Sequence, residues 1–465
     1  FSKRYIPSKP KRNFNQPNKI LQHVVIIGNG IAGVTAARHI RKFSDKKITI
    51  VSGESEHFWS RTALMYIYMG HMKYEHTKPY EDWFWKKNRI NLIKDWVSDI
   101  DFNAKKCILK DGNKIDYESL IIATGSTTRY YDWPGQNSKG VIGMVSLQDL
   151  EAMENWAPNK DICKHAVIVG GGLIGVEMAE MLHTRKIPVT MLVREKNFWG
   201  NVLPQESARL ISHHIKSRGI DLRHEEELDK IIPDADGKVK AIKTKSGKTI
   251  ECDFVGICTG VRPQIDWLKE IDIETDKGIL VDRYLKTSRE NVYAIGDCAE
   301  QREAVGERKP IEAIWYTGRM MGETVAQTIC GNPTKWNPGV WFNSAKFFDI
   351  EYQTYGHVWN KPAEGNAHYH WRHKEKKCAI DIEYEISSRK LIGMNTFGIR
   401  MKHKTIAALI EHLISFKGKA PADGVRPCAA APARWCRSSP GRPAPFSSAT
   451  PPPSSSRRRG RSPRP

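Results

Sequence analysis

Apolar runs of four or five residues recur along the chain, each bounded by glycine or by polar residues. Val24-Val-Ile-Ile27, Ile48-Thr-Ile-Val51 and Leu120-Ile-Ile-Ala123 form one series; Ala166-Val-Ile-Val169, Val189-Thr-Met-Leu-Val193 and Phe254-Val-Gly-Ile-Cys258 form a second. Unbroken runs rich in β-branched residues predict strands covered on both faces, the pattern of parallel sheets. After the first run of each series the period turns helical, from about Ile31 through Arg41 and from Leu173 through His183. Strand, helix and strand therefore occur twice in the same order, and each copy closes on a strand ending in Thr-Gly, at 124–125 and 259–260. This is an internal duplication of a βαβ unit.

Outside the two series the pattern changes. Phe58 to Gly70 reads as a helical stretch, and Trp96 to Tyr117 as short strands around an Asp111-Gly112 hairpin turn. Short strands return over 279–296, followed by a helix from about Ile311 to Ile329 that Gly331-Asn-Pro333 stops. Residues 340–400 alternate aromatic and polar positions with turn signals, which predicts an antiparallel sheet in a third domain, and 401–416 read as helix.

The chain has 465 residues, room for two or three domains, and a formal charge of +21. That charge suggests nucleic acid until it is located. Residues 1–22 carry six Lys/Arg and no acid, and residues 415–465 eleven Lys/Arg against Asp423; removing these leaves +5 for 23–414. The basic excess belongs to the ends, so no specific nucleic-acid partner is expected. Residues 1–20 read as a basic extension, and 417–465, holding eleven of the 25 prolines, as a disordered Pro/Arg/Ser tail. Nine cysteines without a C-x-x-C fit reduced thiols in the cytoplasm, and no apolar run has transmembrane length.

The chemistry lies at the start of each helix. Gly28, Gly30 and Gly33, with Ile31 and Ala32 between the last two, match G-x-G-x-x-G, as do Gly170, Gly172 and Gly175 around Leu173 and Ile174. In this motif the first glycine makes a tight turn, the second admits a pyrophosphate to the backbone, and the third packs helix on strand. Helix N-termini hold the phosphates. Glu54, about one βαβ unit after Gly28, stands where ribose hydroxyls are held. His368, His370 and His373 do not share one strand face, so no metal site is assigned.

The order of five signals, at 28–33, 123–125, 170–175, 259–260 and 296–297, resembles the pyridine nucleotide–disulfide oxidoreductase superfamily over roughly 23–415. The resemblance implies an α/β protein with two Rossmann-like dinucleotide-binding domains, the NAD(P) domain inserted in the FAD domain, plus a C-terminal α+β interface domain. It divides the chain into an FAD-binding domain at 21–137 and 273–338, an NAD(P)H-binding domain at 138–272 and an interface domain at 339–416, the last also the expected homodimer contact. FAD would be held by the first glycine motif, Glu54, Arg61, Val97, Ala123-Thr124-Gly125, Gly296, Asp297 on the ribityl chain, and Trp315 beside the flavin. NAD(P)H would be held by the second motif, Arg194 and Gly260. Gly175 suits NAD, while Arg194 suits the 2′-phosphate of NADP and tips the reading to NADPH.

Disulfide reductases of this superfamily place cysteines in the helix after Glu54, but none occurs between Val34 and Lys106. The chain therefore resembles the branch of rubredoxin, ferredoxin and nitrite reductase flavoproteins, which pass flavin electrons directly to an acceptor. That implies an FAD-dependent NAD(P)H oxidoreductase serving a small redox protein. The alternatives are an NAD(P)H oxidase or quinone reductase, and a redox-sensing binding protein of the same fold. Relatives pair a Lys beside the flavin with the Glu matching Glu177, the catalytic candidate. The Lys position here is Tyr66, so either another lysine, with Lys346 as candidate, pairs with Glu177 or transfer is tuned differently.

Overall fold

In the computed structural model, which describes residues 22–411, the two series of apolar runs become two separate five-stranded parallel sheets. The expected basic extension, the expected helical residues 412–416 and the expected Pro/Arg/Ser tail lie outside the described residues. The chain first forms β1 (His23–Ile27), α1 (Ile31–Phe43), β2 (Lys47–Val51), α2 (Leu64–Tyr68), β3 (Ile90–Ile93) and β4 (Ser119–Ile122). It continues through β5 (Val141–Ile142), α3 (Leu147–Trp156), β6 (Ala166–Val169), α4 (Leu173–Thr184), β7 (Val189–Val193), α5 (Gln205–Ser217), β8 (Asp221–His224) and β9 (Phe254–Ile257). Then come β10 (Val292–Ala294), α6 (Trp315–Ile329), β11 (Phe342–Phe347), β12 (Ile350–Gly356), β13 (Asn366–Arg372), β14 (Ala379–Glu385), β15 (Leu391–Phe397) and α7 (His403–Glu411).

The first sheet has the order β10-β4-β1-β2-β3 and the second β8-β7-β6-β9-β5. Every pair in both is parallel. The whole second sheet is built between β4 and β10 of the first, so one nucleotide-type unit is inserted in the other. Val24, Val25, Ile26, Leu120, Ile121 and Ile122 have no exposed surface, as strands covered on both faces require. In each sheet the strand order reverses beside the first strand, between β1 and β4 and between β6 and β9, and α/β proteins bind ligands at such switch points. The segments leaving the two Thr-Gly pairs, Ser126–Thr128 and Val261–Pro263, pair antiparallel and join the two crevices.

Residues 340–400 form the expected antiparallel sheet, in the order β11-β12-β15-β14-β13. Its Phe347, Tyr352 and Phe397 share one buried cluster with the second sheet and with Leu64, Met65 and Tyr68 of α2. Polar bolts reinforce this packing: the Ser207 hydroxyl donates to Asp381 at 2.7 Å, and Arg218 pairs with Asp349. Arg185, at the end of α4, ties α2 to the second sheet. Its guanidinium lies 3.7 Å from the Tyr68 ring centroid, donates to the Tyr68 and Pro158 carbonyls and forks onto Glu154 at 2.6 Å. Arg185→Ala removes several charge-assisted hydrogen bonds and a cation–π contact together, and should lower stability by about 2 kcal/mol, read from the midpoint of urea unfolding at unchanged slope.

Two elements depart from their expected form. The helix expected from Ile311 begins at Trp315, because Ile314 is extended (φ −132°, ψ 131°) and Glu312 is drawn into a buried pair with Arg308. The stretch from Phe58 to Gly70 is a 3-10 turn at Arg61–Ala63 followed by the five residues of α2. No described helix is long and apolar enough to cross a membrane.

Candidate cofactor and active site

The two glycine motifs have the same geometry, residue for residue. Gly28 (φ +109°) and Gly170 (φ +121°) both lie in the left-handed region. A Cβ on Gly28 would overlap the Ala123 carbonyl, and one on Gly170 the Cys258 carbonyl, across the respective switch points. A Cβ on Gly33 or Gly175 would overlap the carbonyl of the first glycine of its own motif, so helix and strand touch there. The middle glycines differ: a Cβ on Gly30 or Gly172 would meet nothing within 4 Å. The backbone is therefore bare on one side at the N-cap of α1 and of α4. Neither helix has a side-chain cap or an acidic residue in its first turn, so their leading N–H groups are free for an anion. Ile31, Ala32, Leu173 and Ile174 supply those first turns. A diphosphate fits each cradle.

The first crevice carries two further anchors. Glu54 accepts both arms of the Arg61 guanidinium, at 2.8 and 2.5 Å, and the Leu147 backbone N–H at 2.9 Å. Its carboxylate is thus fixed in place, with one lone pair left for a hydroxyl donor. Asp297 follows Gly296 and accepts from the Ser126 hydroxyl at 2.8 Å. Burial raises its pKa, while the Ser126 bond and the Arg61 charge oppose that. Such a carboxylate gains most by accepting a ligand hydroxyl. Ala123, Thr124 and Gly125 leave the end of β4, and Val97 opens the strand Val97–Asp101, half-buried against the first core. Trp315 is the first residue of α6, edge-on to Tyr316 with centroids 5.3 Å apart. Two contributors were not read from the sequence: Asn29, whose amide donates to the Ser55 carbonyl at 2.7 Å and holds the loop bearing Glu54, and Ser126. Asn29 sits inside the glycine motif, which was its only local signal.

In the second crevice Val193 is buried and Arg194 is exposed, its guanidinium paired with Glu195 at 3.2 Å. Gly260, in the left-handed region (φ +106°), turns the chain after β9. Lys346 does approach Glu177, but its ammonium bonds to Glu180 at 2.6 Å, one helical turn on. It also lies 5.3 Å from the centroid of Tyr66. His368 pairs with Glu383 at 3.2 Å and His370 with Asp381 at 2.7 Å, so both serve the third sheet.

The sequence pattern described as pyridine nucleotide-disulphide oxidoreductase matches residues 22–324. An NADH oxidase of Methanocaldococcus jannaschii is 30% identical over 70% of this chain and 74% of its own length. A rubredoxin-NAD(+) reductase of Pseudomonas putida is 28% identical over 67% of this chain and 80% of its own. A solved ferredoxin reductase from Rhodopseudomonas palustris superposes with a TM-score of 0.73 at 23% identity, covering 81% of this chain and 91% of that one, a likeness of fold. Two glycine cradles at two switch points, with a carboxylate-lined first crevice, are what FAD and NAD(P)H require, and these are the cofactors of an oxidoreductase built this way. The chain belongs to the pyridine nucleotide-disulphide oxidoreductase family.

Proposed function

We propose that this oxidoreductase takes a hydride from NADH onto FAD and hands the electrons on to a small redox protein of the rubredoxin or ferredoxin kind. One observation carries the reading: between the two cradles there is no reactive thiol among the described residues. Cys107, Cys163, Cys252, Cys258 and Cys298 are all buried. Beside the cradles lie Cys258, whose carbonyl meets Gly170, and Cys298, next to Asp297, and burial pushes both thiols up, away from the thiolate. Bound FAD supplies the step from a two-electron donor to one-electron acceptors. The protein's part is to place the two cofactors: α1 and Asp297 hold one, α4 the other, and the 126–128/261–263 ladder sets the crevices side by side. We assign the FAD role to 21–137 with 273–338, the NAD(P)H role to 138–272 and the interface role to 339–416. We place the homodimer contact on this last domain, whose five-stranded antiparallel sheet is its main element. Buried thiols at Cys107, Cys163, Cys252, Cys258 and Cys298 favour the cytoplasm.

The Arg194–Glu195 pair moves the nucleotide preference away from NADPH. A 2′-phosphate brings nearly two negative charges to a guanidinium already countered by a carboxylate. NADH should therefore bind about tenfold tighter than NADPH, and Glu195→Gln should close that gap. Calorimetric titration with NAD+ and NADP+ reads both, and an unchanged ratio in the variant would remove Glu195 from the account.

The NADH oxidase among the relatives supports a second reading, direct transfer to oxygen. Stopped-flow reoxidation separates the two. The carrier reading expects the reduced enzyme to lose electrons to rubredoxin or ferredoxin at least about a hundredfold faster than to air-saturated buffer; faster loss to oxygen would establish the oxidase.

A further inference from the structure

Glu177 is the acidic residue of the site whose role the hydride step does not explain. It lies on α4, one turn past the Gly172 cradle, and its charge is felt by the Cys258 thiol at the end of β9. It is half-buried, makes no hydrogen bond to another described residue, and its oxygens are not sealed from solvent. Two charges act on it, Glu180 on its own helix and Lys346 on β11 of the third sheet, and Tyr66 on α2 lies beside the Lys346 ammonium. β6 and β7, also beneath α4, contribute no charged residue.

The charges of this cluster do not cancel. Two carboxylates face one ammonium, and the ammonium is bound to Glu180 at 2.6 Å. The second Glu180 oxygen is buried without a partner. Glu177 is left with the unbalanced charge, and its carboxyl is pushed up to about 7: burial raises it, Lys346 pulls it back, and Glu180 pushes it up again. It can therefore take or release a proton near neutrality at little cost.

The electron-transfer reading, on which this inference rests, needs such a group. Oxidation of NADH to NAD+ yields two electrons and one proton, and an acceptor that takes electrons singly takes no proton. One proton per NADH is left at the site. We propose that Glu177 is the exit for that proton, and that Lys346, delivered by the third sheet and anchored on Glu180, positions the charge that sets its release. The bond that breaks is the one holding the transferred hydrogen on the reduced cofactor, whose two electrons go singly to the acceptor; the bond formed is the O–H of the Glu177 carboxyl, which gives the proton to solvent water before the next NADH.

The test is the titration of Glu177 in the full FAD-loaded chain, by carbon NMR of carboxyl-labelled glutamate, with the signal assigned by its loss in Glu177→Gln. The expected midpoint is near neutral. Lys346→Met should raise it by about one pH unit and Glu180→Gln should lower it by about as much, while Lys346→Arg should keep it. The same directions should appear in the pH profile of electron delivery to ferricyanide, a one-electron probe that takes no proton. Lys346→Met and Glu180→Gln break the same ion pair, so a structural loss would move the midpoint the same way in both. A Glu177 midpoint in the ordinary carboxylate range, or shifts of the same sign, would overturn the proposal. If NADH fails to reduce the bound flavin at all, the electron-transfer reading itself falls, wherever Glu177 titrates.

Discussion

Gly28→Ala should yield a folded chain that purifies without flavin. Two costs fall on one methyl group. The backbone there sits at φ +109°, outside the regions an L-residue adopts readily, a penalty of about 1–2 kcal/mol. The added Cβ would also overlap the Ala123 carbonyl, which belongs to the backbone leaving a central strand and cannot swing aside as a side chain would. Relief requires β1 and β4 to part at the switch point or the turn to rotate, and either movement turns the α1 N-terminus away from the diphosphate. Loss of even half of the helix N–H contacts to a diphosphate corresponds to about 3 kcal/mol, or more than a hundredfold in affinity. Flavin content per chain, read from the visible spectrum after gel filtration, should fall at least about tenfold, with the far-UV circular dichroism retained. A yellow Gly28→Ala protein would mean that FAD is not held by this turn.

Gly170→Ala should separate the two halves of the reaction. The same strain arises at the duplicate site (φ +121°, with overlap on the Cys258 carbonyl), but now in the second sheet. The flavin should remain bound and the spectrum unchanged, because α1, Glu54 and Asp297 are untouched. Reduction by NADH should slow at least about a hundredfold, while dithionite, which needs no nucleotide site, should reduce the flavin as in the unaltered protein. Reversed phenotypes for the two variants would exchange the assignments of the two crevices.

Much of this was legible in the sequence because the information was local. The apolar runs at 24–27, 120–123, 166–169 and 254–258 marked the central strands, and the two glycine motifs and Asp297 marked the crevices. What escaped depends on long-range pairing. Lys346 and Glu180 are 166 positions apart, and no periodicity reports that β11 crosses α4. Lys346 was thus one candidate partner for Glu177, with a differently tuned transfer as the alternative, and its hydrogen bond goes to Glu180. Ser126 and Asp297, 171 positions apart, meet only because β4 and β10 are neighbours in the first sheet. The start of α6 was misjudged for the opposite reason. Apolar spacing continues back to Ile311, but the buried Arg308–Glu312 pair holds that segment extended, and tertiary bonding overrides helical pattern there. The Arg194–Glu195 pair was adjacent in sequence, yet its meaning required knowing that Val193 is buried and Arg194 exposed.

On the proposed function, electrons pass from nicotinamide to flavin and leave without visiting a disulfide. Anaerobic titration of the oxidised protein with NADH tests it most directly. One equivalent of NADH per flavin should bleach the spectrum completely, with no long-wavelength band from a thiolate beside the flavin and no further uptake. A requirement for two equivalents, or a thiolate–flavin band after the first, would place a redox-active thiol pair in the path and contradict the claim.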